Sequence, residues 1–368
     1  MSTATHRSPL TDWTFLVPVV ALFALVLSWG RDLPGPLVAL VALCLAGAVL
    51  AAVHHAEVIA LRVGEPFGSL VLAVAVTVIE VALIVTLMAD GGDKTASLAR
   101  DTVFAAVMIT CNGIVGLSLL VGALRNRVAV FNAEGSGAAL ATVATLATLS
   151  LVLPTFTTSK PGPEFSSPQL AFAAVASLAL YGLFIAVQTV RHRDYFLPVA
   201  TESTPAGGGE EHAAPPTIRA TLASLGLLFV ALVAVVGDAK SVSPTIEKGV
   251  AEAGLPQAVV GVIIALLVLL PETLAAVRAA RRDRVQTSLN LGYGSAIASI
   301  GLTIPAIALA SVWLKGPLLL GLGPTHMVLL ALTVVVGALT IVPGRATLLQ
   351  GGVHLVILAA YLFLAVSP

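Results

Sequence analysis

Two glutamates stand where a charge is expensive. Glu80 lies in LAVAVTVIEVALIVTLMA and Glu272 in VIIALLVLLPETLAAV, each within an apolar run long enough to cross a bilayer. A charged carboxylate at the centre of a membrane helix costs about 2.5–3.5 kcal/mol on insertion scales, so an acid at that depth points to an ion or proton pathway. In apolar surroundings an acid holds a proton when no cation is bound, and a cation on its oxygens displaces that proton. Competition of this kind is a sufficient physical basis for exchange. Pro271 directly precedes Glu272. Proline lacks an N–H and leaves a carbonyl one turn earlier unbonded, so a helix break is expected at Pro271. Free carbonyls beside a carboxylate make an oxygen site for a hard cation. The apolar run after each glutamate carries small polar residues. SLNLGYGSAIASIGLTIP holds Asn290, Ser295, Ser299 and Thr303, and the last three, four residues apart, share one helix face. Gly292, Gly294 and Gly301 allow close helix approach. VMITCNGIVGLSLL holds Thr110, Asn112 and Ser118 with Gly113 and Gly116. Asn112 and Asn290 are candidates to touch the ion or its water, with Ser295, Ser299 and Thr110 as further ligands or a proton relay. The competing use of all of them is packing between helices.

These residues need helices to hold them. A spanning helix takes about 20 apolar residues, and eleven such runs are present, near 13–29, 36–53, 68–89, 101–123, 136–153, 168–190, 217–237, 256–279, 288–313, 324–343 and 347–366. Long runs predict an all-α polytopic membrane protein and exclude a membrane barrel, whose strands are short and alternating. Trp13, Trp29 and Trp313 fall near run ends, where interfacial anchors belong. Segment 191–216, RHRDYFLPVATESTPAGGGEEHAAPP, contains Glu210, Glu211 and His212 and is expected to be a flexible cytoplasmic linker. With 1–33 set aside as an extra N-terminal helix, five runs precede the linker in 34–190 and five follow it in 217–368. An odd number of spans turns the second half over relative to the first. That is the inverted repeat of many secondary transporters, with the substrate near the midplane. Glu80 and Glu272 then occupy matching second helices and are expected to approach each other across a pseudo-two-fold axis. The side carrying Arg62, Arg125, Arg127, Arg191 and the 278–284 cluster is richer in Lys and Arg than the side carrying Arg31, Lys94, Lys160 and Lys240. This places the N-terminus in the cytoplasm and the C-terminus outside, in a cell (inner) membrane.

Composition narrows the function classes. The chain is 58% hydrophobic and 10% charged with mean hydropathy +1.01, whereas about a quarter of a soluble protein is charged. Its partner is therefore a lipid bilayer. Lys+Arg and Asp+Glu balance at 19 each, which gives no electrostatic footprint for nucleic acid. Cys44 and Cys111 sit in apolar runs and read as packing residues. The run from Trp13 to Trp29 lacks a small-residue cleavage site and reads as a retained span. Arg100 and Asp101 are expected to form an ion pair at the interface. His54, His55, Glu57 and Glu65 are expected in a solvated cytoplasmic loop, and His326 and His354 in structural hydrogen bonds. Phosphate loops, zinc spacings and Ser/His/Asp arrangements are lacking, so neither a cofactor nor enzymatic activity is expected. The ligands are inorganic cations and protons, and the oligomeric state is left open.

The stretches GEPFGSLVLAVAVTVIEVALI, RDTVFAAVMI, LLPETLAAV, NLGYGSAIASIGLTIP and GRATLLQGGVHL resemble the calcium:cation antiporter superfamily, specifically its bacterial cation/proton exchangers of the ChaA-like branch. The resemblance covers most of the chain. It implies that each half contributes an acidic helix followed by a polar one, that Glu80 and Glu272 match the paired cation-binding acids, and that Gly294 and Ser295 match the Gly-Ser of the second repeat. There are departures. VTVIE and LLPE stand where calcium/proton exchangers carry Gly-Asn before the acid. Val107 and Met108 replace the first Gly-Ser, Ala298 replaces a glutamine, and the ADGGD connection is longer. These changes remove calcium ligands and leave the ion open among calcium, sodium and potassium. The implied activity is export of cytoplasmic cation against entering protons. An uncoupled channel or carrier of the same architecture is the alternative, and an integral membrane enzyme a more distant one.

Overall fold

The computed structural model describes residues 12–31, 33–64, 67–91, 95–199, 216–314 and 316–368. The helices are α1 (Trp13–Ser28), α2 (Gly35–Val63), α3 (Phe67–Gly91), α4 (Leu98–Met108), α5 (Val115–Asn126), α6 (Ala133–Ala147), α7 (Ser167–Ala186), α8 (Ile218–Glu252), α9 (Ala258–Arg281), α10 (Val285–Ala310), α11 (Pro324–Ile341) and α12 (Leu348–Val366). α4 and α5 are joined by a π-helical turn, Ile109–Ile114, into one span, Leu98–Asn126. Among the described residues ten helical spans are long and apolar enough to cross a membrane, and α1 is a shorter apolar helix of 16 residues. Every expected run thus has its helix, and the chain is an all-α multi-pass membrane protein. Two short strands, β1 (Ala129–Val130) and β2 (Arg345–Ala346), pair antiparallel in the loops after α5 and α11.

Three expectations are corrected at helix ends. α2 continues past 53 to Val63, so His54, His55 and Glu57 are helical, not looped. His55 is 3% exposed, and its Nε2 lies 2.9 Å from the Thr14 carbonyl of α1. α8 continues past 237 to Glu252. Charged residues end an apolar window there without ending a helix, and pairs one turn apart, such as the Ser243 hydroxyl donating to Glu247 at 2.8 Å, carry it onward. The start of segment 191–216, expected to be a linker, is folded. Residues 193–196 form a 3-10 turn whose Phe196 is buried edge-on against Phe184 of α7, ring centroids 5.8 Å apart. Residues 200–215, with Glu210, Glu211 and His212, lie outside the described residues, as do Glu65, Lys94 and Lys315.

Packing divides the chain into two units, residues 1–86 with 212–249, and residues 87–211 with 250–368. In the first, α1 lies on α2, and Val242 of α8 packs with Val38 and Val41 of α2. Gly237 of α8 takes Leu25 of α1 so closely that a Cβ there collides with it. In the second, the α4–α5 span is the buried centre, 89% buried, with α9, α10 and α12 packed on it. Glycine permits two of these contacts. A Cβ on Gly351 of α12 falls 2.7 Å from the Leu120 backbone nitrogen of α5, and one on Gly292 of α10 falls 3.2 Å from Ile114.

Candidate functional site

In the first unit, Glu80 sits on the buried face of α3 at 4% exposure, beside Val76, Thr77, Ile79, Leu83 and Ile84. Thr77, one turn earlier on that face, donates its hydroxyl to the Ala73 carbonyl at 2.9 Å. A carboxylate is thus embedded among aliphatic side chains well inside a span, as its sequence setting implies.

In the second unit, Glu272 is half-buried on α9 and Pro271 is buried. The expected break is absent, because α9 runs as one helix from Ala258 to Arg281 with Pro271 inside it. A proline removes one intrahelical hydrogen bond, here to the Leu267 carbonyl, and a packed membrane helix tolerates that loss without ending. The hydroxyl of Thr273 donates to Leu269 at 2.7 Å and stays on the same helix. α9 is held close to α4 at Gly261, where a Cβ would lie 3.0 Å from the Thr102 nitrogen. It is tied to α10 by Ser288, whose hydroxyl donates to the Ala276 carbonyl at 2.6 Å and meets Ser118 of α5 at 2.5 Å.

Of the polar residues following Glu80, Thr110 and Asn112 lie in the π-helical turn and Ser118 on α5. Thr110 turns its hydroxyl back to the Ala106 and Val107 carbonyls at 2.8 and 3.1 Å. Such competition for carbonyls is one way to widen a helix locally. Asn112, 0% exposed, is engaged at both ends. Its Nδ2 donates to Thr333 of α11 at 2.9 Å, and Thr333 donates onward to Leu329 at 2.8 Å. Its Oδ1 lies 3.1 Å from Nδ1 of His354, whose Nε2 lies 3.2 Å from the Thr340 hydroxyl. An amide oxygen only accepts, so the network assigns the proton to Nδ1 of His354 and leaves Nε2 to accept from Thr340. His354 therefore has the structural hydrogen bonds expected of it, and Asn112 is its partner.

On α10, Asn290 is also committed to protein partners. It donates to the Phe196 carbonyl at 2.6 Å and accepts from Gln286 at 2.8 Å. Ser299 and Thr303 are buried, whereas Ser295 is half-exposed. Gly301 packs on Tyr181, but Gly294 faces open space, with nothing near the position of a Cβ. The Gly294–Ser295 step is thus a part of α10 not closed by packing. Elsewhere the expected ion pair is present, with Arg100 Nε 2.8 Å from Asp101 and the Ser97 hydroxyl donating to the same carboxylate at 2.9 Å.

Asp238 escaped the sequence reading. It is 0% exposed on α8, and neither carboxylate oxygen has a hydrogen-bond partner among the described residues. The signal was an acid immediately after an apolar run, which a hydropathy boundary at 237 assigned to the loop.

A model of the sodium/calcium exchanger protein family matches residues 33–190 and 223–367. The chain is 46% identical over 363 residues, 97% of its length and 96% of the relative's, to a protein of Sinorhizobium fredii (strain NBRC 101917 / NGR234) named, provisionally, as the ionic transporter y4hA. It is 35% identical over 355 residues, 95% of each chain, to the sodium-potassium/proton antiporter ChaA of Escherichia coli (strain K12). Among solved structures, the H+/Ca2+ exchanger CAX superposes with a TM-score of 0.69 at 15% identity, covering 96% of this chain and 91% of that one.

Proposed function

This chain belongs to the sodium/calcium exchanger protein family, a family of ion exchangers, and from that premise we propose that it exports a cytoplasmic cation in exchange for external protons, with Glu80 and Glu272 as the groups that bind one or the other. The observation that carries this reading is chemical. Glu80 is almost fully buried in apolar α3, and Glu272 interrupts the apolar run of α9 beside Pro271. An acid at such depth is costly unless it is used. The open face at Gly294 and the half-exposed hydroxyl of Ser295 support a role for this step of α10 near the transported ion. Thr110, Asn112 and Asn290 act as positioning residues, since their polar groups already have protein partners. Ser299 is a further ligand or relay.

In this reading each glutamate holds a proton when the site is empty of cation. Cation entering from the cytoplasm displaces protons, and movement of a helix group exposes the acids to each side in turn. The halves 34–190 and 217–368 act as inverted repeats, with the N-terminus cytoplasmic. Two cation classes are supported. The family model and its calcium-exchanging members favour calcium, while the ChaA antiporter, at 35% identity over nearly the whole chain, favours sodium or potassium. The lost Gly-Asn ligands weigh toward the monovalent ions.

The test is cation-driven proton flux in everted vesicles or proteoliposomes. Glu80→Gln and Glu272→Gln are each expected to abolish it. Flux that survives either substitution contradicts the assignment of that residue, and proton flux independent of any exchangeable cation would favour an uncoupled carrier.

A further inference from the structure

Exchange through Glu80 and Glu272 leaves a further buried acid, Asp238, unused. Asp238 lies past the middle of α8 with no exposed surface and with both oxygens unpartnered among the described residues. It shares a helix face with Ala231, Ala234, Val235 and Val242, spaced by three and four residues and at most 1% exposed. Val242 packs on Val38 and Val41 of α2. One turn back along α8, the Cys44 thiol of α2 lies within electrostatic reach of Asp238. Leu25 of α1 closes over Gly237, and Ser28 of α1 meets Ser241 at 3.2 Å. Among the described residues, the titratable and charged groups shown around it are few. α1 brings none between Trp13 and Ser28, α2 brings Cys44, and Lys240 on α8 itself is exposed.

Among the described residues an ionised aspartate here has no counter-charge in hydrogen-bonding contact, and a buried charge left so costs several kcal/mol even after relaxation. The side chain must therefore carry its own positive partner. A metal ion needs about six oxygen ligands or more. The nearby hydroxyls of Ser28 and Ser241 are bonded to each other and to backbone carbonyls, and no cluster of three metal-ligating side chains exists among the described residues. A proton needs one oxygen. We propose that Asp238 is a third acid of the membrane domain and that its occupant is a proton. Neutral, it fits the apolar contact of α8 with α1 and α2. Losing that proton requires the contact to admit water or a cation, so proton binding at Asp238 and close packing of α8 on its neighbours favour each other.

Infrared spectroscopy of the purified full-length protein in lipid tests this directly. At neutral pH the wild type is expected to show a protonated-carboxyl carbonyl band that Asp238→Asn lacks, and identical carboxyl bands in the two proteins overturn the proposal. Should Asp238→Asn fail to accumulate, the wild type is treated at neutral pH with dicyclohexylcarbodiimide. This reagent adds the O–H of a neutral carboxylic acid across one C=N bond and rearranges to a stable N-acylurea. Peptide mass spectrometry is expected to find the adduct on Asp238, and its absence there overturns the proposal. Both readouts work without transport. A missing signal at Asp238 therefore leaves the exchange reading standing, and failed exchange leaves the proton on Asp238 standing.

Discussion

Glu80 and Glu272 are unequal. Glu80 is 4% exposed among aliphatic side chains, while Glu272 is half-buried beside a proline. Glutamine keeps the volume and hydrogen-bonding capacity of each but cannot ionise, so either substitution is expected to lower exchange by far more than about tenfold, the effect of ~1.4 kcal/mol, without unfolding the protein. Circular dichroism beside the flux assay separates the two outcomes. His354 makes a different prediction. Its replacement by alanine strips Asn112 Oδ1 and Thr340 of their buried partner, and leaving such groups unsatisfied costs about 1–3 kcal/mol. His354→Ala is expected to lower the thermal midpoint of the purified protein while residual exchange keeps its cation preference; an unchanged midpoint contradicts the network. The two glutamates were legible because a carboxylate stands out against an apolar run. The hydrogen bonds of Asn112 were not, because its partners are more than 200 positions away in sequence. Asp238 was missed for a third reason: hydropathy marks where apolar residues stop, and the helix continues.

At the scale of elements, every apolar run became a helix because length and hydropathy suffice to define a span. The ends and irregularities were less legible. Side-chain hydrogen bonds sustain α8 to Glu252, burial of Phe196 folds the start of the linker, and a hydroxyl competing for carbonyls accompanies the π-helical turn at Ile109–Ile114. The break expected at Pro271 failed because one lost hydrogen bond does not end a packed helix. Two glycines now separate packing from function. Gly351→Ala drives a Cβ against the backbone of α5, 2.7 Å from the Leu120 nitrogen, and overpacking of this kind costs about 1–3 kcal/mol. Gly294→Leu enters open space, so stability is expected to hold while exchange falls, the open face being placed near the ion in the proposed function. Thermal unfolding and flux of the two variants check this pair, and a destabilised Gly294→Leu argues that the face is closed.

At the scale of the molecule, packing grouped α2 and α8, the opening helices of the two sequence halves, in one unit. Sequence reading placed them in different halves, and packing brings them into one unit. The orientation has its own check. An alkaline phosphatase fused at the C-terminus is expected to be active outside the membrane, and one inserted in 200–215 is expected to be inactive; the reverse pattern contradicts the proposed topology. The central claim is that cation and proton compete for Glu80 and Glu272. Its most direct measurement is proton release from the purified, weakly buffered protein on adding calcium, sodium or potassium separately. At least one cation is predicted to release protons from the wild type and to release markedly fewer from Glu80→Gln and from Glu272→Gln, whereas cation binding that releases no protons, or release undiminished in both variants, contradicts the account.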